Sequence, residues 1–271
     1  LVGRVKTLGT GVTKHKLGDR VGVGWIHSSS GEPDENLSAQ FDATGRDSNG
    51  GYAEWMTVHE DYAFPIPDCF SSTAAAPLLC AGAVGFRALK LTNLKDGQLL
   101  GLTGFGGSAH LVLQVVRHQF PHSLVFVFAR DSSQRELARK LGAVWAGDTT
   151  DVPPAQLDAI IDTTPAWGPI VSALAHLKPG GRLIINAIRK EEKDKEQLMH
   201  VSYHDHLWME KEIKTVANVT QHDIQQFLPL AAKISLQPKV TIYPLEDANR
   251  ALVELKRGHV EGSKVLRVSQ D

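Results

Sequence analysis

Apolar segments of two kinds alternate through the middle of the chain. Short continuous runs rich in Val, Ile, Leu and Phe predict buried strands, and the segments between them carry apolar residues at helical spacing. The predicted strands cover 98–103, 124–129, 143–146, 157–162, 181–187 and 212–217, and the predicted helices cover 107–119, 132–141 and 168–176. This alternation is typical of a parallel sheet covered on both faces, so we predict an α/β fold with a doubly wound sheet.

The flanking segments follow a different pattern. Residues 1–70 are rich in glycine, β-branched residues and turns, and predict strands at 4–8, 20–23 and 52–58 around a polar loop at 28–51. Ser71 is a candidate cap for a short helix that Pro77 interrupts, and a second helix is expected over 85–91. A helix at 222–236 and a mixed tail at 239–271 match no further repeat, so the tail is expected to rejoin the first region.

These patterns divide the chain into three stretches. We predict a β-rich domain over 1–81, a nucleotide-binding domain over 82–220 and a return to the first domain over 221–271. The opening residues 1–5 alternate like the middle of a strand and include no initiator Met, so we interpret the chain as a fragment whose upstream part is missing.

A glycine turn joins the strand at 98–103 to the helix that follows it. Gly104, Gly106 and Ala109 occupy the three positions of a G-x-G-x-x-G/A dinucleotide-binding motif, with Gly107 and Ser108 between them. The first glycine permits the tight turn, the second lets a pyrophosphate approach the backbone, and the small third residue keeps helix and strand close. The helix N-terminus then offers N–H groups to the phosphates.

Composition excludes few classes of protein but removes some partners. The chain has 42% hydrophobic and 22% charged residues, and its net charge of -1 gives no electrostatic reason to expect nucleic acid or an anionic membrane. We also expect no apolar run long enough to span a bilayer. The two cysteines, Cys69 and Cys80, favour a reducing compartment such as the cytoplasm over a disulfide framework.

An ordered set of short segments resembles the zinc-dependent medium-chain alcohol dehydrogenases. The matching segments are 17–23, 50–54, 76–82, the turn at 104–110, 177–182 and the strand-helix-strand tail to Val268. The resemblance implies a GroES-like catalytic domain interrupted by a Rossmann domain. It also implies hydride exchange between a nicotinamide cofactor and an alcohol, aldehyde or ketone, in a homodimer or homotetramer.

The resemblance assigns a catalytic zinc ligand to Cys80, the third of three protein ligands. The competing interpretation is a small buried apolar residue, which is the usual environment of a free cysteine. The other two ligands would precede the segment that matches Leu1–Gly3, so they lie upstream of this chain. The lobe at 27–33 contains none of the four cysteines that hold a structural zinc in many relatives, and no structural zinc is expected.

His200, His204, Asp205 and His206 form a second group with metal-ligating side chains. His200 and His204 could share one face of a helix, whereas His204 and His206 could not. Because the segment follows a charged loop, we interpret it as a polar loop rather than a metal site.

The tip of the second predicted strand bears on the choice between NADP and NAD. NAD sites usually place an acidic residue about 20 residues beyond the glycines, to bind the ribose 2′-hydroxyl. Here Ala129 and Arg130 stand at that position, and Arg135 follows, so a 2′-phosphate is favoured. Asp131 weakens this preference, and NAD stays possible. The resemblance further places Val84, Asn186, Ala187 and Asn218 near the nicotinamide and, loosely, Lys264 near the pyrophosphate.

Three other functions compete with an alcohol dehydrogenase. A zinc-free quinone or enoyl reductase of the same superfamily is disfavoured by Cys80 within its family-like segment. A non-catalytic nucleotide-binding relative stays open, because two zinc ligands are missing. A methyltransferase shares the segment 178–182, but the β-rich first 70 residues and the absence of an acid at Ala129 argue against it.

Overall fold

The computed structural model describes residues 1–258 and 262–269. The chain forms two compact units, the first from Leu1–Ala83 and Ala217–Asp271 and the second from Val84–Val216. The sequence places the corresponding boundaries after residues 81 and 220.

The first unit begins with short strands joined by long irregular segments. β2 pairs antiparallel with both β1 and β5, and β3 pairs antiparallel with β4. Ser71 caps the first helix by accepting a hydrogen bond from the Ala74 N–H, and a 3₁₀ turn containing Pro77 follows that helix. The elements are β1 (Val2–Arg4), β2 (Arg20–Val23), β3 (Ile26–Ser28), β4 (Asp42–Ala43), β5 (Ala63–Pro65), α1 (Ser72–Ala75) and α2 (Ala81–Thr92).

Two strand predictions in this unit are wrong. The structure has strand at Val2–Arg4 rather than 4–8, and the chain over 52–58 is irregular. The alternating pattern at 52–58 places Tyr52 and Trp55 in solvent, at 62% and 66% exposure, so no buried face stabilises a strand there.

The second unit is built on one parallel sheet. Its strands lie in the order β11-β10-β9-β6-β7-β8, and each neighbouring pair is parallel. The core of this unit joins Phe128 of β7, Ile160 of β9 and Leu183 of β10 to Leu174 of α5. Each such burial contributes about 1.5–3 kcal/mol of transfer free energy. The elements are β6 (Leu99–Thr103), α3 (Ala109–Gln119), β7 (Leu124–Phe128), α4 (Ser132–Leu141), β8 (Trp145–Gly147), β9 (Leu157–Asp162), α5 (Gly168–His176), β10 (Leu177–Ile185) and β11 (Glu212–Thr215).

The order of the strands positions the candidate site. β6 is flanked by β7, the next strand in the chain, and by β9, which follows only after β8. The direction of winding therefore reverses between β6 and β9, and open α/β sheets bind ligands at the carboxyl ends of the strands beside such a reversal. The predicted parallel, doubly wound arrangement is confirmed.

The chain then returns to the first unit. Thr220 and Asp223 form a reciprocal capping box at the start of α6 (Gln221–Lys233). β12 (Val240–Pro244) and β13 (Ser263–Arg267) pair in parallel, with α7 (Ala248–Arg257) between them in the chain.

The expectation about membrane-spanning segments needs a correction. Among the described residues, the helical stretch Ser72–Thr92 is long and apolar enough, by length and composition, to cross a bilayer. A 3₁₀ turn over Ala76–Leu79 interrupts it, and 56% of its most apolar window is buried within the fold. Burial of this kind is also found in the core helices of soluble proteins, so the stretch is weak evidence for a membrane span.

Candidate functional site

The predicted glycine turn lies at the carboxyl end of β6. Gly104 adopts φ +77°, a left-handed conformation that favours glycine, and its N–H donates to the Phe128 carbonyl at 2.8 Å. A Cβ on Gly104 would lie 2.7 Å from Oγ1 of Thr163, the residue after β9. Turn geometry and close packing both therefore require glycine at this position.

Gly106 differs from Gly104 because packing does not require it. A Cβ at Gly106 would meet no heavy atom within 4 Å among the described residues. An open approach to the main chain is what a bound pyrophosphate needs at the second glycine of the motif. Ala109 is 1% exposed, as expected of the small third residue, and the buried His110 ring donates from Nδ1 to the Gly106 carbonyl at 2.9 Å.

Asn186 connects the turn to the end of β10. Its side-chain amide donates to Oγ of Ser108 at 3.2 Å, and its main-chain N–H donates to the Asp162 carbonyl at 2.7 Å. A Cβ on Gly85 would lie 2.5 Å from the same Ser108 Oγ, so α2 packs directly against the turn beside Val84. The structure thus brings Ser108, Asn186 and the start of α2 together, while Ala187 follows Asn186 half-buried.

A buried ion pair, which the sequence did not reveal, supports the same edge of the sheet. Lys190 Nζ lies 2.5 Å from the Asp162 carboxylate and donates to the main-chain carbonyls of Thr164 and Ala166. Burial raises the pKa of the Asp162 carboxyl, and the Lys190 ammonium acts in the opposite direction. The pair fixes the segment from Asp162 to Ala166, in which Thr163 donates to the carbonyl of Thr103, the residue before Gly104.

The end of β7 presents Arg130 to solvent. Asp131 is the N-cap of α4 and accepts a hydrogen bond from the Ser133 N–H at 2.8 Å, so its carboxylate serves the helix. Arg135 donates to the carbonyls of Ala129 and Arg130 at 2.6 and 2.8 Å. Arg130 therefore extends from a segment that Arg135 holds in place.

Two cationic residues that were predicted to contact the cofactor, Arg135 and Lys264, have partners within the protein. Arg135 is occupied by the two carbonyls and by Asp148, 3.5 Å away, so it orders the strand end rather than offering a free charge. The Lys264 ammonium contacts the Glu254 carboxylate and the Tyr243 hydroxyl and is 12% exposed. The loose assignment of Lys264 to a pyrophosphate stays a prediction, and these contacts add no support to it.

Asn218 has an unusual environment in the first unit. It adopts φ 62°, and both polar atoms of its side-chain amide are buried with no hydrogen-bond partner among the described residues. An unpaired buried polar group costs about 1–3 kcal/mol. Such a group is a candidate ligand contact, as predicted for Asn218.

Cys80 ends the 3₁₀ turn over Ala76–Leu79 and is exposed by surface area. The protein around its sulfur nevertheless disfavours the thiolate and raises the pKa of the thiol, while the positive amino group of Leu1 acts in the opposite direction. That amino group also donates to the Val23 carbonyl at 2.9 Å.

Comparison with known proteins identifies the family. The model of the alcohol dehydrogenase GroES-like domain matches residues 1–68, and the model of the zinc-binding dehydrogenase matches residues 141–266. The probable alcohol dehydrogenase AdhA of Mycobacterium tuberculosis is 38% identical over 257 residues, which cover 93% of this chain and 72% of the relative. The chain belongs to the medium-chain alcohol dehydrogenase family.

Further similarities agree with this family. An alcohol dehydrogenase of Geobacillus stearothermophilus is 30% identical over 98% of this chain and 81% of its own length. The structure of CAD from Helicobacter pylori, described as complexed with NADP(H), superposes with a TM-score of 0.83 at 23% identity, covering 98% of this chain and 79% of the other. The predicted combination of a GroES-like domain with a Rossmann-type sheet is confirmed.

Membership of a zinc-binding dehydrogenase family raises the question of whether this chain can hold zinc. In the described ranges 1–258 and 262–269, no group of three or more His, Cys, Asp or Glu side chains is arranged to bind a metal ion. Cys80 supplies one sulfur donor, and a catalytic zinc needs three protein ligands. The residues present therefore do not form a complete zinc site, and we assign no reaction step to the metal.

The histidines near residue 204 have local partners. The His204 ring packs against Tyr203 and Trp208 at centroid distances of 5.6 and 6.0 Å. The His206 Nδ1 atom lies 3.0 Å from the Ser202 main-chain nitrogen. These contacts account for both rings without a metal.

Proposed function

We propose that the protein is a nicotinamide-dependent alcohol dehydrogenase that interconverts an alcohol and an aldehyde or ketone. The observation that carries the proposal is the glycine turn at the reversal of strand order, with Gly106 open to a ligand and Gly104 required by packing. Two curated alcohol dehydrogenases that are 38% and 30% identical, in alignments that cover 93% and 98% of the chain, support the same activity.

The chain's own residues bind and orient the cofactor in this proposal. Main-chain N–H groups at the start of α3 face the diphosphate, where the helix dipole favours negative charge. Ser108 and Asn186 line the same edge of the sheet in the second unit. In the first unit, Asn218 is by itself a candidate contact for the nicotinamide half, because its buried amide is unpaired among the described residues. The bound cofactor supplies the chemistry by accepting or donating a hydride.

We favour NADP(H) over NAD(H) as the cofactor. Arg130 is exposed, and its guanidinium is in no ion pair with another residue of 1–258 and 262–269, while Asp131 is engaged as a helix cap. A guanidinium is well suited to bind a 2′-phosphate.

The test is a pair of titrations on this chain with NADPH and NADH. Wild-type protein should bind NADPH more tightly, and Arg130→Ala should weaken NADPH about tenfold while changing NADH less than twofold. Equal losses for both cofactors would contradict the assignment of Arg130. Absence of binding to either cofactor would contradict the proposed function itself.

We further propose that Cys80 is one ligand of a catalytic zinc, whose other protein ligands are not among residues 1–258 and 262–269. The match to the zinc-binding dehydrogenase model and the exposure of Cys80 support this. Metal analysis of a form extended at its amino terminus should find one zinc, lost in Cys80→Ser. Full zinc content and turnover in that variant would contradict the assignment, and cofactor binding without turnover would instead indicate a non-catalytic relative.

The parallel sheet of the second unit has an exposed edge strand, β11. β11 pairs with β10 on one side, and within the described residues no strand pairs with its other side. All four of its residues are exposed, including Ile213 at 48%, so this edge is suited to pair with a second copy of the chain. We propose a homodimer or homotetramer in the cytoplasm, to be tested by light scattering of wild type and Ile213→Lys.

A further inference from the structure

A buried carboxylate anchors the polar loop at 28–51 in the first unit. Glu35 is fully buried, and one of its oxygens accepts a hydrogen bond from the Tyr62 hydroxyl at 2.7 Å. Its other oxygen accepts from the main-chain N–H of Gln221 at 2.6 Å, across 186 positions of sequence. The Ser29 hydroxyl donates to the Glu35 carbonyl at 2.7 Å, so the turn that carries the carboxylate is itself fixed.

The neighbouring residue makes a second long-range contact. Asn36 is buried, and its side-chain amide donates to the Ala217 carbonyl at 2.7 Å. Two adjacent residues of the polar loop, Glu35 and Asn36, therefore bind the main chain at Gln221 and at Ala217. These two contacts bracket the segment that contains Asn218.

Asn218 is the residue in this segment that needs external support. Its φ of 62° is a left-handed conformation that non-glycine residues adopt at a cost, although asparagine tolerates it better than most. Its buried amide has no partner among the described residues, which adds a second cost. Unfavourable local states of this kind persist when the surrounding structure holds them, and they cluster at functional sites.

Thr220 and Asp223 complete the support on the far side of the segment. Their capping box fixes the start of α6 directly after Val219, which is fully buried. The segment from Ala217 to Gln221 is thus fixed at both ends, while the Asn218 amide is left available to a ligand.

We propose that Glu35 and Asn36 are positioning residues, which hold Asn218 in place for the nicotinamide half of the cofactor. The inference rests on the proposed function, because it takes Asn218 as a cofactor contact. It adds that the polar loop at 28–51, which contains no cysteine, determines cofactor affinity through two side chains that do not touch the cofactor. A purely structural role for these residues would change stability without discriminating between parts of the cofactor.

The experiment compares two ligands on the same variants. NADPH contains the nicotinamide half, whereas adenosine 2′,5′-bisphosphate contains only the adenosine half with the 2′-phosphate. Asn36→Ala should raise the Kd for NADPH about tenfold, the order expected for one lost hydrogen bond, and leave the Kd for the bisphosphate within about twofold. If Asn36→Ala folds poorly, Asn36→Asp replaces it in the experiment. This variant keeps the size of the side chain, loses the donor and should give the same pattern.

A matched variant controls for stability. Tyr243→Phe removes a buried hydroxyl that donates to a carboxylate, that of Glu254, elsewhere in the first unit. It should lower the melting temperature without changing the Kd for NADPH by more than about twofold. A double-mutant cycle sharpens the test, because Asn36→Ala should weaken NADPH no further in an Asn218→Ala background.

The outcomes separate the inference from the function on which it rests. If wild-type protein binds neither NADPH nor the bisphosphate, the proposed function fails, and the inference fails with it. If wild type binds both, equal effects of Asn36→Ala on the two ligands, no effect on either, or full additivity with Asn218→Ala would overturn the positioning role alone.

Discussion

Asp162 in the second unit and Glu35 in the first unit are both fully buried carboxylates that fix a nearby segment, but they are compensated differently. Asp162 in the second unit ends a regular strand and is paired with the Lys190 ammonium. Glu35 in the first unit lies in a 3₁₀ turn and accepts hydrogen bonds from a phenol and a main-chain N–H. Asp162 thus has an opposite charge in addition to the neutral donors of Thr164, whereas Glu35 has neutral donors alone.

This difference determines what happens when a partner is removed. A buried charge that loses its counter-charge must be protonated or solvated, whereas a carboxylate that loses one of two neutral donors keeps the other. Removal of the cation in the second unit should therefore cost more than removal of the hydroxyl in the first.

The largest effect is expected for Lys190→Met. The substitution leaves Asp162 buried without its cation and frees the carbonyls of Thr164 and Ala166, at a cost of about 3–5 kcal/mol in the free energy of unfolding. Urea denaturation measures this cost. Lys190→Met combined with Asp162→Asn should recover part of the loss, and a single variant as stable as wild type would remove the distinction between the two carboxylates.

A smaller effect is expected for Tyr62→Phe. Loss of the hydroxyl removes one donor to Glu35 and one acceptor for the Ser29 N–H, at about 1–2 kcal/mol. A loss as large as that of Lys190→Met in the same urea experiment would show that neutral and charged partners are equivalent here.

The same tyrosine predicts a change of stability at alkaline pH. Burial and the Glu35 carboxylate raise the pKa of Tyr62 to about 12, so the fold favours the neutral phenol. Its contribution is complete below the unfolded pKa of about 10 and is lost as the pH rises toward 12. Tyrosinate absorbance should show a late-titrating component that Tyr62→Phe abolishes, and titration of that component near pH 10 would be inconsistent with the buried contact.

The smallest effect is expected at the exposed pair of His122 and Asp96, whose side chains lie 2.6 Å apart. The pair raises the pKa of His122 and lowers that of Asp96. Its contribution is lost as the pH rises above about 6.5 or falls below about 4, because one partner then loses its charge. His122→Ala should lower the melting temperature more at pH 5.5 than at pH 8.5, and at both pH values by less than Lys190→Met or Tyr62→Phe. A larger loss at pH 8.5 than at pH 5.5 would contradict this.

The two units also differ in how far the sequence predicts them. In the second unit, local signals suffice: the apolar run at 157–162 and the pattern at 132–141 predict β9 and α4 with their observed bounds, and the glycines locate the turn. In the first unit, the alternation at 52–58 suggests a strand that the fold does not form, because strand formation depends on distant partners.

The missed support residues have the same explanation. Lys190 lies in a charged segment whose composition predicts an exposed loop, and Glu35 lies in a polar loop. Their roles arise from contacts with Asp162 and Gln221, which no spacing in the sequence reveals. Lys264 shows the converse case, because a lysine near a predicted phosphate site is instead occupied by Glu254.

The central claim is that the turn after β6 binds the diphosphate of a nicotinamide cofactor, and Gly106→Val tests it most directly. A Cβ on residue 106 would meet no heavy atom of the described residues within 4 Å. The variant should therefore have the same midpoint of urea unfolding as the wild type. The added side chain should nevertheless block the approach of the pyrophosphate to the main chain and weaken NADPH by at least about a hundredfold. A stable Gly106→Val protein that binds NADPH with wild-type affinity would contradict the account.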